Sequence, residues 1–134
     1  MTTTSDRALF LRRSLQLDGI ASGLCGAVLV LGAAPVADLI GVPSAGLVGG
    51  VGALLLVYAG ALLWNARRPD IHRGEVRLAV LLNGAWVAGS LALILAGPRP
   101  WIGNLAVAAV AAAVLVFAVL EAVGLRRVTG HKAA

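Results

Sequence analysis

Leu105 to Leu125 reads LAVAAVAAAVLVFAVLEAVGL, 21 residues with a single ionisable side chain, and Arg126-Arg127 follow at once. An apolar run of about 18 residues or more crosses the ~30 Å hydrocarbon core as a helix. A soluble chain this short has no interior able to surround such a segment on every side. The run therefore sets the class: helices in a bilayer. Only Glu121 interrupts it, and a carboxyl is costly in lipid, so it is expected to face other helices or water.

Three further apolar segments precede it. The pattern predicts spans at about 15–34, 44–65, 78–96 and 102–125, in one domain covering residues 1–134. Ser5 or Asp6 is the expected cap of the first helix, and Pro35 the residue that ends or kinks it. Val36 to Pro43 holds Asp38 but no Lys or Arg and reads as an interfacial turn, with Pro43 suited to starting the second span. Ala66 to Arg77 is the most polar connection. Gly97-Pro98-Arg99-Pro100 reads as a tight turn with Trp101 beside it at the membrane interface. A basic start before an apolar run can imitate a signal peptide; three more spans follow, so the first helix is read as retained.

Charge placement gives the threading. Arg7, Arg12, Arg13, Arg67, Arg68, Arg73, Arg77, Arg126, Arg127 and Lys132 fall on one side of the predicted spans, and Arg99 stands alone on the other. The positive-inside rule then puts both termini and the middle loop in the cytoplasm. Four such helices with short connections are expected to pack as an antiparallel all-α bundle. The net charge of +5 raises the question of nucleic acid. These cations sit between apolar runs, as topology signals do, so no nucleic-acid face is read. Hydrophobic residues make up 60% and charged residues 13%, against roughly 25% charged in soluble domains. The Ala, Gly, Val, Leu and Arg bias suggests a bacterial inner-membrane protein.

Cofactor chemistry finds little to use. Cys25 is the lone cysteine, and His72 and His131 both flank the apolar runs, so no disulfide, thiolate cluster, haem or metal site is expected. Phosphate-loop, HExxH, GxSxG and GxGxxG patterns are absent, and the chain is not read as an enzyme.

The informative residues are the polar ones inside the spans. At 1.5 Å rise per residue, Asp18 lies about 7.5 Å beyond Arg13 and Glu121 about 7.5 Å before Arg126. Asn83 is about 9 Å past Arg77 and Asn65 about 3 Å before Arg67. All four helices thus carry a polar group in the third nearest the basic loops, and Tyr58 extends the layer deeper. Ser14, Asp18, Ser22 and Cys25 share one helix face; Tyr58, Leu62 and Asn65 share another; so do Asn83, Trp86 and Ser90. If these faces converge, a polar cavity forms, with Asp18 and Glu121 binding a proton or cation, Asn65, Asn83 and Tyr58 lining it, and Trp86 as a wall.

The competing expectation is structural. Asp18 and Glu121 would meet water or pair with Arg12, Arg13, Arg77 or Arg126, and the amides would tie helices together at ~0.6 kcal/mol each. Arg67, Arg68 and Arg73 are candidates for anionic lipid headgroups. Gly19-x-x-x-Gly23 and Gly46-x-x-x-Gly50 permit close helix approach, read chiefly as packing.

In its span layout, with Leu17-Asp18-Gly19 opening helix one and Leu120-Glu121-Ala122 closing helix four, the chain resembles small four-helix bacterial inner-membrane proteins, DoxX-like families among them. Small multidrug transporters are similar in having four spans and a carboxylate in helix one. The longer loops, Glu121 and the shallow Asp18 depart from their pattern. No residue role follows from either likeness. The functional expectation is a small proton- or cation-coupled transporter in the lipid bilayer, acting on a small ligand or ion and assembled as a homo-oligomer. The alternative is a non-transporting membrane subunit that binds lipid or scaffolds a partner protein.

Overall fold

The computed structural model describes residues 3–97 and 99–130. They form α1 (Thr4–Leu31), α2 (Ala33–Ile40), α3 (Ala45–Arg67), α4 (Arg73–Leu95) and α5 (Trp101–Gly130). All but α2 are long and apolar enough to cross a membrane. The protein is an all-α, four-span membrane protein whose long helices alternate in direction.

The ends of the helices follow from local chemistry. Thr3, rather than Ser5 or Asp6, caps α1: its Oγ1 accepts the Asp6 N–H at 3.2 Å, and its own N–H donates to Asp6 Oδ2 at 3.1 Å. This reciprocal box uses Asp6 three residues inside, which a cap at Asp6 itself could not do. At the far end α1 stops at Gly32, not at Ala34. Pro35 then sits in the first turn of α2, where its missing N–H has no helical partner to lose.

Much of the expected interfacial turn is therefore helix. The actual turn begins at Gly41, whose φ of +70° closes α2 in the left-handed conformation that glycine adopts without steric cost. Ser44 caps α3 by accepting the Leu47 N–H at 3.2 Å. The middle connection is shorter than expected, because His72 Nδ1 caps α4 and Arg73 to Arg77 are already helical. α5 continues to Gly130, which places Arg126 and Arg127 on the helix. Pro98 of the predicted Gly97–Pro100 turn, and His131 and Lys132 of the basic tail, lie outside the described residues.

The helices pack in the order α3–α1–α5–α4, with α3 and α4 barely touching despite being consecutive in the chain. α1 and α3 meet most closely at Gly26 and Gly52. A Cβ on Gly52 would come within 2.8 Å of the Gly26 carbonyl oxygen and 2.7 Å of Leu29 Cβ. Gly19 is covered by the Leu63 side chain and Gly23 approaches Ala59, so the first predicted glycine pair does serve helix packing. The second pair does not: Gly50 faces open space and Gly46 meets only Ser44 Oγ. α2 folds back on α3 and α5, its Leu39 carbonyl pressed against Gly103.

Near the basic loops the core is Leu11, Leu15, Leu62, Ala66, Val76 and Ala79, with Tyr58, Ile71, Leu125 and Val128 packed on it. Outward-facing leucines and valines cover the rest, among them Leu24, Leu54, Leu81 and Leu105. Such a surface suits a bilayer and no aqueous solvent. Trp64 and Trp101 are exposed near opposite ends of the bundle, as interface anchors are.

Candidate functional site

Asp18, Tyr58, Asn83 and Glu121 come from four different helices and meet at one point. α1 turns Asp18 inward on the same face as Leu11 and Leu15; α5 does the same for Glu121. Asp18 is 1% exposed and Glu121 0%. Asn83 joins them: its Nδ2 donates to Asp18 Oδ2 at 3.0 Å and to Glu121 Oε2 at 3.3 Å. The Tyr58 hydroxyl lies 3.0 Å from Asp18 Oδ2 and 3.0 Å from Asn83 Oδ1. Ser22, one turn along α1, donates to Asp18 Oδ1 at 2.9 Å.

The hydrogen-bonding capacity of these groups is unevenly filled. Both amide hydrogens of Asn83 are used, and Ser22 supplies one more. Tyr58 has one hydroxyl hydrogen for two acceptors, Asp18 Oδ2 and Asn83 Oδ1. Glu121 Oε1 is buried with no hydrogen-bond partner among the described residues. The centre thus accepts more hydrogens than its own side chains donate when both carboxyls are ionised.

Among the described residues no cation pairs with either carboxyl. The expectation that Arg12, Arg13, Arg77 or Arg126 pairs with these carboxyls is not met: among the described residues the ion pair is Arg68–Glu75, at 3.8 Å. Arg12 points the other way, donating through Nη1 to the Ala66 and Arg68 carbonyls and through Nη2 to that of Pro69. The carbonyls closing α3 have no intrahelical donors, and a guanidinium there also meets the negative end of the helix dipole. Arg127 stacks over the Phe10 ring at 4.7 Å. The sequence offered Arg12 only as a partner for the carboxyls, and its position gives no sign of the loop it grips.

Asn65 departs from its expected role. It is fully buried, but its Oδ1 accepts the His72 N–H at 2.8 Å and its Nδ2 donates to the His72 carbonyl at 3.1 Å. The side chain closes the α3–α4 connection like a short strand pairing and makes no hydrogen bond to the carboxyls among the described residues. The reason is depth: Asn65 shares a face with Tyr58 but lies two turns nearer the loop. Trp86 is half-buried one turn beyond Asn83, with no hydrogen bond to the centre among the described residues. Arg67 and Arg68 are exposed and Arg73 is partly so, at the α3–α4 turn.

The open polar cavity that the sequence suggested is replaced by a compact knot. Leu11, Leu15, Val76 and Leu125 lie on its loop side and close the bundle axis. No three His, Cys, Asp or Glu residues are grouped to hold a metal ion among the described residues. No family model, curated protein or solved structure matches the chain. Its fold and centre alone therefore define its class, a four-span helical membrane protein built around two buried carboxyls.

Proposed function

We propose that this protein is a small proton- or cation-coupled membrane transporter in which Asp18 and Glu121 together take up and release one proton or monovalent cation. The observation that carries this is the pair of buried carboxyls bridged by Asn83, with a Glu121 oxygen that has neither a hydrogen-bond partner nor a counter-charge among the described residues. Ionisable groups inside membrane spans are expensive and mark ion or proton pathways. A proton added at Asp18 Oδ2 would be donated to the Tyr58 oxygen and would turn the Tyr58 hydroxyl toward Asn83 Oδ1, filling both contacts of Tyr58. The excess of Lys and Arg at the end nearest the knot supports the reading that this end faces the cytoplasm, and the compositional bias supports a bacterial inner membrane.

A second reading has its own support. Two other helices, α3 and α4, reach Asp18 through hydrogen bonds and Asn83 ties in Glu121 of α5, so the knot could serve as a lock in a non-transporting subunit that binds lipid or a partner protein. Proteoliposomes holding a pH-sensitive dye separate the two. Imposed proton, sodium and potassium gradients should drive internal pH changes with the native protein and not with Asp18→Asn or Glu121→Gln. Inertness of the native protein to all three gradients, with both variants equally well folded by circular dichroism, would leave the lock.

A further inference from the structure

The carboxyl centre is closed along the bundle axis by Leu11, Leu15 and Val76, all fully buried. One side is not closed. Because α3 and α4 barely touch, a crevice of about 70 Å³ runs between them. Its lining includes Glu75 and Asn65 at the loop end, Leu62 and Ala79 midway, and Tyr58 and Leu82 at the inner end. Seven residues separate Asn65 from Tyr58 and Glu75 from Leu82, so the crevice is about 10 Å long on both helices. It has room for a few waters, with polar side chains at either end to hold them.

We propose that this crevice is the path by which protons reach the carboxyl centre, with Glu75 as the entry carboxylate. The proposal rests on the reading of the centre as a proton site. Glu75 is the one charged residue in the crevice lining, among the described residues. Its carboxylate faces Arg68 of α3 at 3.8 Å, and both side chains are 43% exposed, so the pair is loose and reached by water. The imidazole of His72 stands beside it, with Nδ1 accepting the Glu75 N–H. Asn65 is held by the His72 backbone and cannot swing in to block the way.

At the inner end Tyr58 lines the crevice, and its hydroxyl lies 3.0 Å from Asp18 Oδ2. A proton taken from bulk water by Glu75 passes to a crevice water, which donates a hydrogen to the Tyr58 oxygen as Tyr58 gives its own to Asp18. The net change is one proton moved from bulk to Asp18. Tyr58 and Glu75 end as they began. Glu75 is a relay and leaves the equilibrium of the centre alone.

Two measurements test this. The first is independent of protonation. In a Cys25→Ser background, Ala61→Cys (crevice) and Ala53→Cys (exposed elsewhere on α3) are treated in vesicles with a membrane-impermeant thiol reagent. Faster modification of Ala61→Cys is expected; equal or slower modification overturns the water-filled crevice. The second is stopped-flow proton uptake after a pH jump in nanodiscs. Glu75→Gln should take up protons about a hundredfold more slowly, the low end for a positioned proton-transfer group, with the native amplitude. Glu75→Asp should restore part of the rate, and Ala61→Leu, at an exposed residue of the crevice lining, should slow uptake alone. Native rates in Glu75→Gln and Ala61→Leu overturn the path while leaving the carboxyl centre intact. Native amplitude in Asp18→Asn overturns the carboxyl centre itself.

Discussion

Removing one oxygen atom, by Tyr58→Phe, is the sharpest probe of how the four spans are held together. The ring stays packed on the Leu11–Leu62 cluster, so the change reports the hydroxyl alone. Two interhelical contacts go, to Asp18 Oδ2 and Asn83 Oδ1, each 3.0 Å. One hydroxyl hydrogen serves both contacts, so at the ~0.6 kcal/mol average for a hydrogen bond between membrane helices the loss is about 0.6 kcal/mol. Asn83 Oδ1 has no other partner among the described residues, however, and a buried acceptor left bare costs about 1–3 kcal/mol. We expect a destabilisation of about 2 kcal/mol, or roughly thirtyfold in the folding equilibrium. Unfolding in mixed micelles by sodium dodecyl sulfate, followed by circular dichroism, reads this directly. A double-mutant cycle with Asn83→Leu should give a coupling of at least about 0.5 kcal/mol, whereas a cycle with the distant Asn65→Ala should be additive within about that amount. A Tyr58→Phe protein as stable as the native one, or no coupling to Asn83, would refute the hydrogen-bonded knot.

The glycines make a paired prediction: Gly52→Leu should lower stability by about 1–3 kcal/mol or more, because its Cβ meets backbone atoms of α1, while Gly50→Leu faces open space and should melt like the native protein. Asn65→Ala should cost about 1–2 kcal/mol and speed hydrogen exchange at the α3–α4 turn, where two bonds to the His72 backbone are lost, with the proton uptake of the centre unchanged.

The four spans were plain from hydropathy because length and apolarity alone decide whether a helix can cross a bilayer. The depth of Asp18, Asn83, Tyr58 and Glu121, counted from the flanking arginines, also put them in one layer, since helical rise is nearly constant. Depth and face together could not say which partner each group would take. Asn65 had both the face and the residue type to join the centre, and a nearby loop backbone took it instead. Arg12 had the charge to neutralise Asp18, and the open carbonyls at the end of α3 were closer. α2 was hidden for a different reason. Proline reads as a stop, yet in a first turn it is harmless, so the five helical residues from Val36 to Ile40 passed for a turn. The order α3–α1–α5–α4 was beyond reach, because short connections favour neighbours and here α4 packs on the helix that follows it.

That order bears on how the chain is made. α4 leaves the ribosome next to α3 but finds its main packing partner in α5, which is synthesised after it. Until α5 arrives, the Asn83 amide lacks its Glu121 acceptor and Asp18 lies beside an unfilled seam in the bilayer. The centre is therefore unfinished until α5 inserts, and the carboxyl that completes it comes on the same helix that fills the seam.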